Sequence, residues 1–118
     1  EEEDVDITNA DFILAIGRGV SGQQEVAVFE ELATAMGATL ACSRPLVDAG
    51  LLHTSRQIGT SGGTVRTRAY LGFGISGAIQ HVAGMKDSEL IIAVNRDPSA
   101  PIFSVLSHVQ YRKPGKIR

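Results

Sequence analysis

Cysteine, net charge and long apolar runs are all scarce in this 118-residue chain. Cys42 is its only cysteine, which excludes an internal disulfide and a multi-cysteine zinc site. The apolar setting of Cys42 predicts a buried, inert thiol, and a reducing compartment fits. Lys plus Arg number 11 and Asp plus Glu 13, a formal charge of −2, so no broad electrostatic case for nucleic acid exists. No apolar run approaches the length of a membrane span, no hydrophobic signal segment is visible, and no membrane insertion is expected. Internal repeats and low-complexity segments are lacking too. The first residue is Glu1, not Met, so a fragment or a processed product is expected.

What is present is one domain's worth of chain with 13 glycines, a number that suggests tight turns and close backbone approach to a ligand. Charge is uneven: Glu1, Glu2, Glu3, Asp4 and Asp6 open the chain, and Arg112, Lys113, Lys116 and Arg118 close it. Both ends read as solvated tails, an acidic one over 1–10 and a basic one over 110–118 around a domain of 11–109. Asp11–Ile16 is an almost continuous apolar run, as in a strand buried on both faces. Val26, Phe29, Leu32 and Met36 recur at helical spacing, Gly37 suits the cap, and Ala38–Cys42 reads as a second strand. Arg44–Ala49 predicts a short helix closed by Gly50, and 51–64 a loop. Ala69–Phe73 and Leu90–Val94 predict strands, with a helix between them N-capped by Ser76. Pro98 and Pro101 bound a turn; Ile102–Val109 fits a short helix or an edge element equally well. Alternating strands and helices make this an α/β layered fold with a parallel sheet.

The chemistry-bearing residues cluster after predicted strands, where ligand crevices open in parallel sheets. Gly17-x-Gly19-x-x-Gly22 matches a dinucleotide-binding pattern, but no acidic residue follows the second strand at the required place and Asp48 is too far along. Arg18 within that turn is placed to pair with a pyrophosphate, and Arg44 to cover an aromatic ring or stabilise an anion. Gln57-Ile58-Gly59-Thr60-Ser61-Gly62-Gly63-Thr64 offers hydroxyl and backbone groups to a polar heterocycle, or is simply a solvent loop. Gly74-Ile75-Ser76-Gly77-Ala78 opens the most informative stretch, which ends on a strand and Asn95 and suits a phosphate-bearing, nucleotide-like ligand. His81 lies five residues after Ser76 and lacks metal-ligand spacing, since His53 and His108 are distant. Ser76 falls near a nucleophile-elbow pattern, but Ala78 replaces the last glycine and no triad is legible; neither a catalytic residue nor a metal site is assigned.

Together these loops resemble the FAD-binding domain of the electron transfer flavoprotein alpha subunit, from about Asp11 to Val105. The most specific pieces are Gly74-Ile75-Ser76-Gly77-Ala78-Ile79-Gln80-His81 and Ala83-Gly84-Met85-Lys86-Asp87-Ser88. Ala93-Val94-Asn95, Asp97-Pro98, Ala100-Pro101-Ile102-Phe103, Ser43-Arg44, Val47-Asp48-Ala49-Gly50 and Gln57-Ile58-Gly59 follow the same pattern. The resemblance implies a three-layer Rossmann-like fold that holds FAD and acts as an electron carrier, not as a self-contained enzyme. Electrons would pass from dehydrogenases, acyl-CoA dehydrogenases for example, to an acceptor such as a quinone oxidoreductase. The beta subunit would be a separate chain, in a bacterial cytoplasm or a mitochondrial matrix. By the same resemblance Arg18 lies near the phosphates, and Ser43 and Arg44 by the flavin, where a cation favours the reduced anion. Gln57, Ile58, Gly59, Thr60 and Ser61 run past the ring, with the Ser61 hydroxyl on flavin N5. Ser76, Gly77, Ala78, Ile79, Gln80 and His81 meet the ribityl chain and diphosphate at a helix N-terminus. His81 approaches the pyrimidine edge and Asn95 holds the adenosine side.

The chain also departs from the pattern. Ser61 stands where Thr is common, Thr67 where Pro is usual, and Arg66 and Arg68 add charge nearby. Gln110–Arg118 lacks the Gly-Asp-like step that would contact adenine, so weakened FAD affinity is expected. The alternatives on sequence grounds are a nucleotide-binding domain of another α/β enzyme, or a structural domain without ligand.

Overall fold

The computed structural model describes residues 5–20, 22–59, 63–97, 99–105 and 110–111. Five parallel strands form one sheet: β1 (Phe12–Ile16), β2 (Thr39–Cys42), β3 (Ala69–Phe73), β4 (Leu90–Val94) and β5 (Gln110–Tyr111). Their order is β2-β1-β3-β4-β5, one of the two common doubly wound arrangements. Register is continuous across the centre: Leu14 faces Leu40 on one side and Leu71 on the other, and Leu71 faces Ile92. The apolar run of β1 has the reason the sequence suggests. Ile13 and Ala15 point into one core layer, Leu14 and Ile16 into the other, and all four are fully buried.

Helix α1 (Gln23–Met36) lies on the second of these layers and inserts Val26 and Ala33 beside Leu14, Ile16 and Leu40. Gly37 ends it in the left-handed region, its N–H reaching the Ala33 and Thr34 carbonyls. The short α2 (Arg44–Asp48) adds Leu46 to the same layer. Helix α3 (Ile79–Ala83) covers the opposite face, where Tyr70, Ile75, Met85 and Ile91 are buried. The result is an α/β three-layer fold with helices on both faces of a parallel sheet. Among the described residues no helix is long and apolar enough to cross a membrane.

Three elements differ from expectation. Residues 5–10 do not trail off as a tail: Asp6 caps a 3₁₀ turn over Ile7–Asn9, and Ile7 is buried in the core. β5 extends the sheet beyond 109, pairing Tyr111 with Val94; 112–118 lie outside the described residues. Ser76 is not a helix N-cap. The helix begins at Ile79 behind Ala78, which has no side-chain oxygen to cap with. Gly77 adopts φ +96°, and the Ser76 carbonyl accepts the Ile102 N–H at 2.8 Å. The undecided 102–109 stretch starts as a 3₁₀ turn, Pro101–Val105.

The loops leaving β1 and β3 meet backbone to backbone. The Gly17 N–H donates to the Phe73 carbonyl at 3.0 Å and the Gly19 N–H to the Gly74 carbonyl at 3.1 Å. A Cβ on Gly19 would stand 2.8 Å from the Gly74 Cα. The near match to a phosphate-binding pattern therefore has a packing origin at Gly17 and Gly19.

Two glycine substitutions separate space from backbone preference. Gly50 has φ +75° and open space, with nothing within 4 Å of where a Cβ would stand, so Gly50→Ala is expected to cost about 1 kcal/mol. At Gly77 the same atom would sit 2.3 Å from the Ile102 nitrogen, and Gly77→Ala is expected to cost more than about 3 kcal/mol. Urea midpoints of the two variants at unchanged slope measure the difference.

Candidate functional site

The sheet order changes direction between β1 and β3, and that is where a doubly wound fold opens a crevice at its carboxyl edge. A cavity of about 390 Å³ lies there. Arg18 enters its wall from the loop after β1, and Ser43, Arg44 and Pro45 from the end of β2 and the first turn of α2. Gln57, Ile58 and Gly59 supply a second wall. Ile75, Ser76, Gly77 and Ala78 from the loop after β3, with Gln80 and His81 from α3, supply the third.

The 57–59 wall is anchored, not loose. Its Ile58 N–H donates to the Cys42 carbonyl at 2.9 Å, tying it to the end of β2. The Gly59 N–H donates to the Gly63 carbonyl at 3.0 Å, and the Gly63 N–H to the Gln57 carbonyl at 2.8 Å. Cys42 beneath it is buried, and desolvation pushes its thiol up to about 12 although Arg56 opposes the shift. That thiol is inert, as its apolar surroundings suggest.

Arg18 and Arg44 are exposed at the cavity mouth. Arg44 Nε lies 3.3 Å from Asp48 Oδ2, one helical turn on. Both side chains are more than half exposed, so this pair contributes little to stability but biases where the guanidinium rests. Asp48, too far along the chain to read a ribose, thus has its carboxylate engaged with Arg44.

His81 is the deepest polar group of the wall, 4 % exposed. Its Nε2 lies 2.7 Å from the Tyr70 hydroxyl, which is fully buried on β3. The tyrosine ring occupies space that Gly72 leaves free: a Cβ there would be 2.9 Å from Tyr70 Cε1. His81 Nδ1 has no hydrogen-bond partner and is the unsatisfied buried side-chain polar atom among the described residues. Desolvation lowers the His81 pKa to about 4, and the Ile58 backbone pulls the other way from outside hydrogen-bond geometry. The ring is therefore neutral at neutral pH, and burial pushes the Tyr70 hydroxyl upward, so it stays protonated.

Of the residues singled out from sequence, Arg18, Ser43, Arg44, Gln57, Ile58, Gly59, Ser76, Gly77, Ala78, Gln80 and His81 come together around this one cavity. Thr60 and Ser61 lie outside the described residues, and with them the contact expected of the Ser61 hydroxyl. Ile79 does not line the cavity; its side chain is 86 % exposed. Asn95 does not line it either. Its Nδ2 donates to the Ile75 carbonyl at 2.8 Å and its Oδ1 accepts the Asp97 N–H at 2.8 Å, so its amide braces the loop that does. Because α3 starts only at Ile79, Ser76–Ala78 reach the cavity as irregular loop backbone ahead of the helix. Sequence reasoning missed Pro45 and Ile75 in the wall; both sit beside residues it named. It also missed Tyr70, whose only signal is a tyrosine in an otherwise apolar strand. No group of three His, Cys, Asp or Glu side chains able to hold a metal is gathered among the described residues.

The depressed His81 pKa makes a pH prediction. An unfolded chain takes up this proton near pH 6.5, the folded one only near 4. The stability contribution is thus fully present above about 6.5 and is lost as pH falls toward 4, on the order of 3 kcal/mol in total. Wild-type chain is expected to lose stability over this window more steeply than His81→Gln, measured by urea unfolding at pH 7, 5.5 and 4.

Comparison with known proteins agrees with the geometry. The family described as electron transfer flavoprotein FAD-binding domain matches residues 6–86. An electron transfer flavoprotein subunit alpha of Methylophilus methylotrophus is 54 % identical over 106 residues, 89 % of this chain and 33 % of that protein. Subunit LctC of a lactate dehydrogenase (NAD(+),ferredoxin) of Acetobacterium woodii is 46 % identical over 105 residues, 89 % of this chain and 25 % of that protein. A mitochondrial electron transfer flavoprotein subunit alpha of Oryza sativa subsp. indica is 43 % identical over 108 residues, 92 % of this chain and 30 % of that protein. The chain thus spans a quarter to a third of the length of these relatives. With the family matched across most of its length, around a cavity at the sheet's switch point, this chain belongs to the electron transfer flavoprotein FAD-binding domain family, whose cofactor is FAD.

Proposed function

We propose that this chain is the FAD-holding part of an electron transfer flavoprotein alpha subunit and works as an electron carrier, with the flavin at the cavity described above. One observation carries the reading. A cavity at the β1/β3 switch point collects two exposed arginines at its mouth and a buried, unpartnered imidazole nitrogen in its wall. A nucleotide-sized ligand with anionic phosphates and a polar ring satisfies both features.

Bound FAD supplies the redox chemistry. The residues of this chain bind and tune it. Arg18 would neutralise phosphate charge, and the backbone of Ser76–Ala78 would offer N–H groups along the linker between ring and phosphates. Arg44 would hold positive charge near the ring, and His81 would meet one polar edge of it. Ile58 and Ile75, both buried, give the cavity its apolar surface and keep water from the face they cover. No side chain is assigned as acid or base, which fits a carrier better than a self-contained enzyme. Thr60 and Ser61 are proposed as flavin contacts, and Asn95 to support the adenosine side through the loop it braces. An electron transfer flavoprotein beta subunit is the proposed partner. Dehydrogenases would be the donors and a quinone oxidoreductase-type protein the acceptor, in a bacterial cytoplasm or a mitochondrial matrix.

The purified chain, incubated with FAD and desalted, is expected to retain a flavin absorption spectrum. No retention and no measurable binding at saturating FAD would overturn the reading. In flavin-loaded chain, Arg18→Ala is expected to weaken FAD binding roughly 10- to 100-fold, the worth of one hydrogen bond to a charged group. Arg44→Ala is expected to lower the flavin midpoint potential by tens of millivolts, on the order of 1 kcal/mol for one solvated charge at close range. An unchanged potential in a variant that still binds would remove Arg44 from that role.

A further inference from the structure

The Tyr70–His81 pair has a proton count that geometry settles. The Tyr70 hydroxyl is fully buried, and His81 Nε2 at 2.7 Å is the hydrogen-bond partner it has among the described residues. Two arrangements are open to the neutral imidazole. If Nε2 carried the proton, it would donate to the Tyr70 oxygen. The phenolic O–H would then be a buried donor with no acceptor, and Nδ1 a buried acceptor with no donor. If Nδ1 carries the proton, the phenol donates to the Nε2 lone pair, and among the described residues Nδ1–H has no partner within hydrogen-bond geometry, only the weaker pull of the Ile58 backbone. A buried unsatisfied donor costs about 1–3 kcal/mol, so the second arrangement is favoured roughly 5- to 150-fold. The one group left over belongs to a residue that lines the cavity.

We infer that Tyr70 is a positioning residue: by donating its O–H to Nε2 it fixes His81 as the Nδ1–H tautomer, so that the cavity presents a single buried N–H donor to a carbonyl or anionic acceptor on the ligand. This rests on the FAD reading for the identity of the ligand, but the tautomer itself does not. The device is rigid from both sides. Tyr70 sits on the central strand β3 in register with Ile13 of β1 and Ile91 of β4. His81 is held on α3, whose Gly84 N–H returns to the His81 carbonyl at 2.9 Å. A neutral donor in a dry wall binds an acceptor strongly because it keeps its own partner, Tyr70, while doing so.

Long-range proton–nitrogen correlation of the ¹⁵N-labelled chain at pH 7, without flavin, reads which ring nitrogen of His81 is protonated. Protonated Nδ1 with Nε2 bare is expected; the reverse overturns the inference whether or not the chain binds FAD. Titrating FAD into the same sample is expected to shift Nδ1 more than Nε2. If FAD binds and Nδ1 does not move, the donor is not offered to the ligand. If FAD does not bind, the functional reading fails while the tautomer result stands. In Tyr70→Phe the tautomers are expected to mix and the FAD dissociation constant to rise about tenfold, one hydrogen bond's worth. Wild-type affinity with an unchanged tautomer in that variant would overturn the role of Tyr70. Fluorotyrosine in place of tyrosine is a near-isosteric second probe should Tyr70→Phe unfold: a more acidic phenol must shift the Nε2 resonance, and no shift refutes the bond.

Discussion

The contact between the loops that leave β1 and β3 is the constraint on which the site depends. Parallel strands deliver every loop of one kind to the same sheet edge, and a direct backbone meeting of two such loops needs residues without side chains. Gly19 and Gly74 provide it, joined by the hydrogen bond from Gly19 N–H to the Gly74 carbonyl. The Gly74 N–H in turn donates to the Val94 carbonyl at 2.9 Å, which links the end of β4 to the same knot. Three strand ends are thereby drawn together, and the space beside them, between β2's end and the start of α3, is left as the cavity.

The walls of that cavity divide into two chemical kinds. Its mouth carries guanidinium groups in water, where charges are cheap to keep and rearrange easily, as the Arg44–Asp48 pair illustrates. Its interior carries neutral polar groups held in place by packing and backbone hydrogen bonds. Gln57 and His81 are both buried, and the backbone around them is bound into Cys42, Gly63 and Ile102. A ligand with a charged phosphate end and a neutral heterocyclic end meets both kinds in one site. Fixed donors at the ring and mobile cations at the phosphates also divide the labour. The first sets orientation, the second contributes long-range attraction.

Much of the fold was legible because burial on both faces leaves its mark in the chain. Asp11–Ile16 and Leu90–Val94 read as strands for the same reason that β1 and β4 lie inside the sheet. The repeat of Val26, Phe29, Leu32 and Met36 reads as a helix because one side of α1 must cover the sheet, although Ala33 is buried there and Leu32 is exposed. Most of the cavity wall was legible for a different reason, the family pattern carried by residues 43–44, 57–59 and 74–81. What local reasoning misjudged is instructive. Ser76 has the right chemistry for a helix cap, but its carbonyl is committed to Ile102, far along the chain, and the helix waits until Ile79. Ile7 belongs to the core although its neighbours are acidic, because residues 5–10 pack against Ser55 and Gly63, which no local pattern announces. The bracing of the 74–78 loop by the Asn95 amide, through the Ile75 carbonyl and the Asp97 N–H, has no local signal either.

By itself the sequence determined the first four strands and the presence of the helices between them, that the sheet is parallel, and which loops carry the chemistry, since these follow from hydrophobic period, glycine placement and short local motifs. Only the tertiary structure decided the strand order that makes β1 and β3 the switch point, and the pairing of Tyr70 with His81 across two elements. It alone left one imidazole nitrogen without a partner. Those are outcomes of packing between residues far apart in the chain, where the free energy of burying a polar group depends on neighbours that the local sequence does not specify.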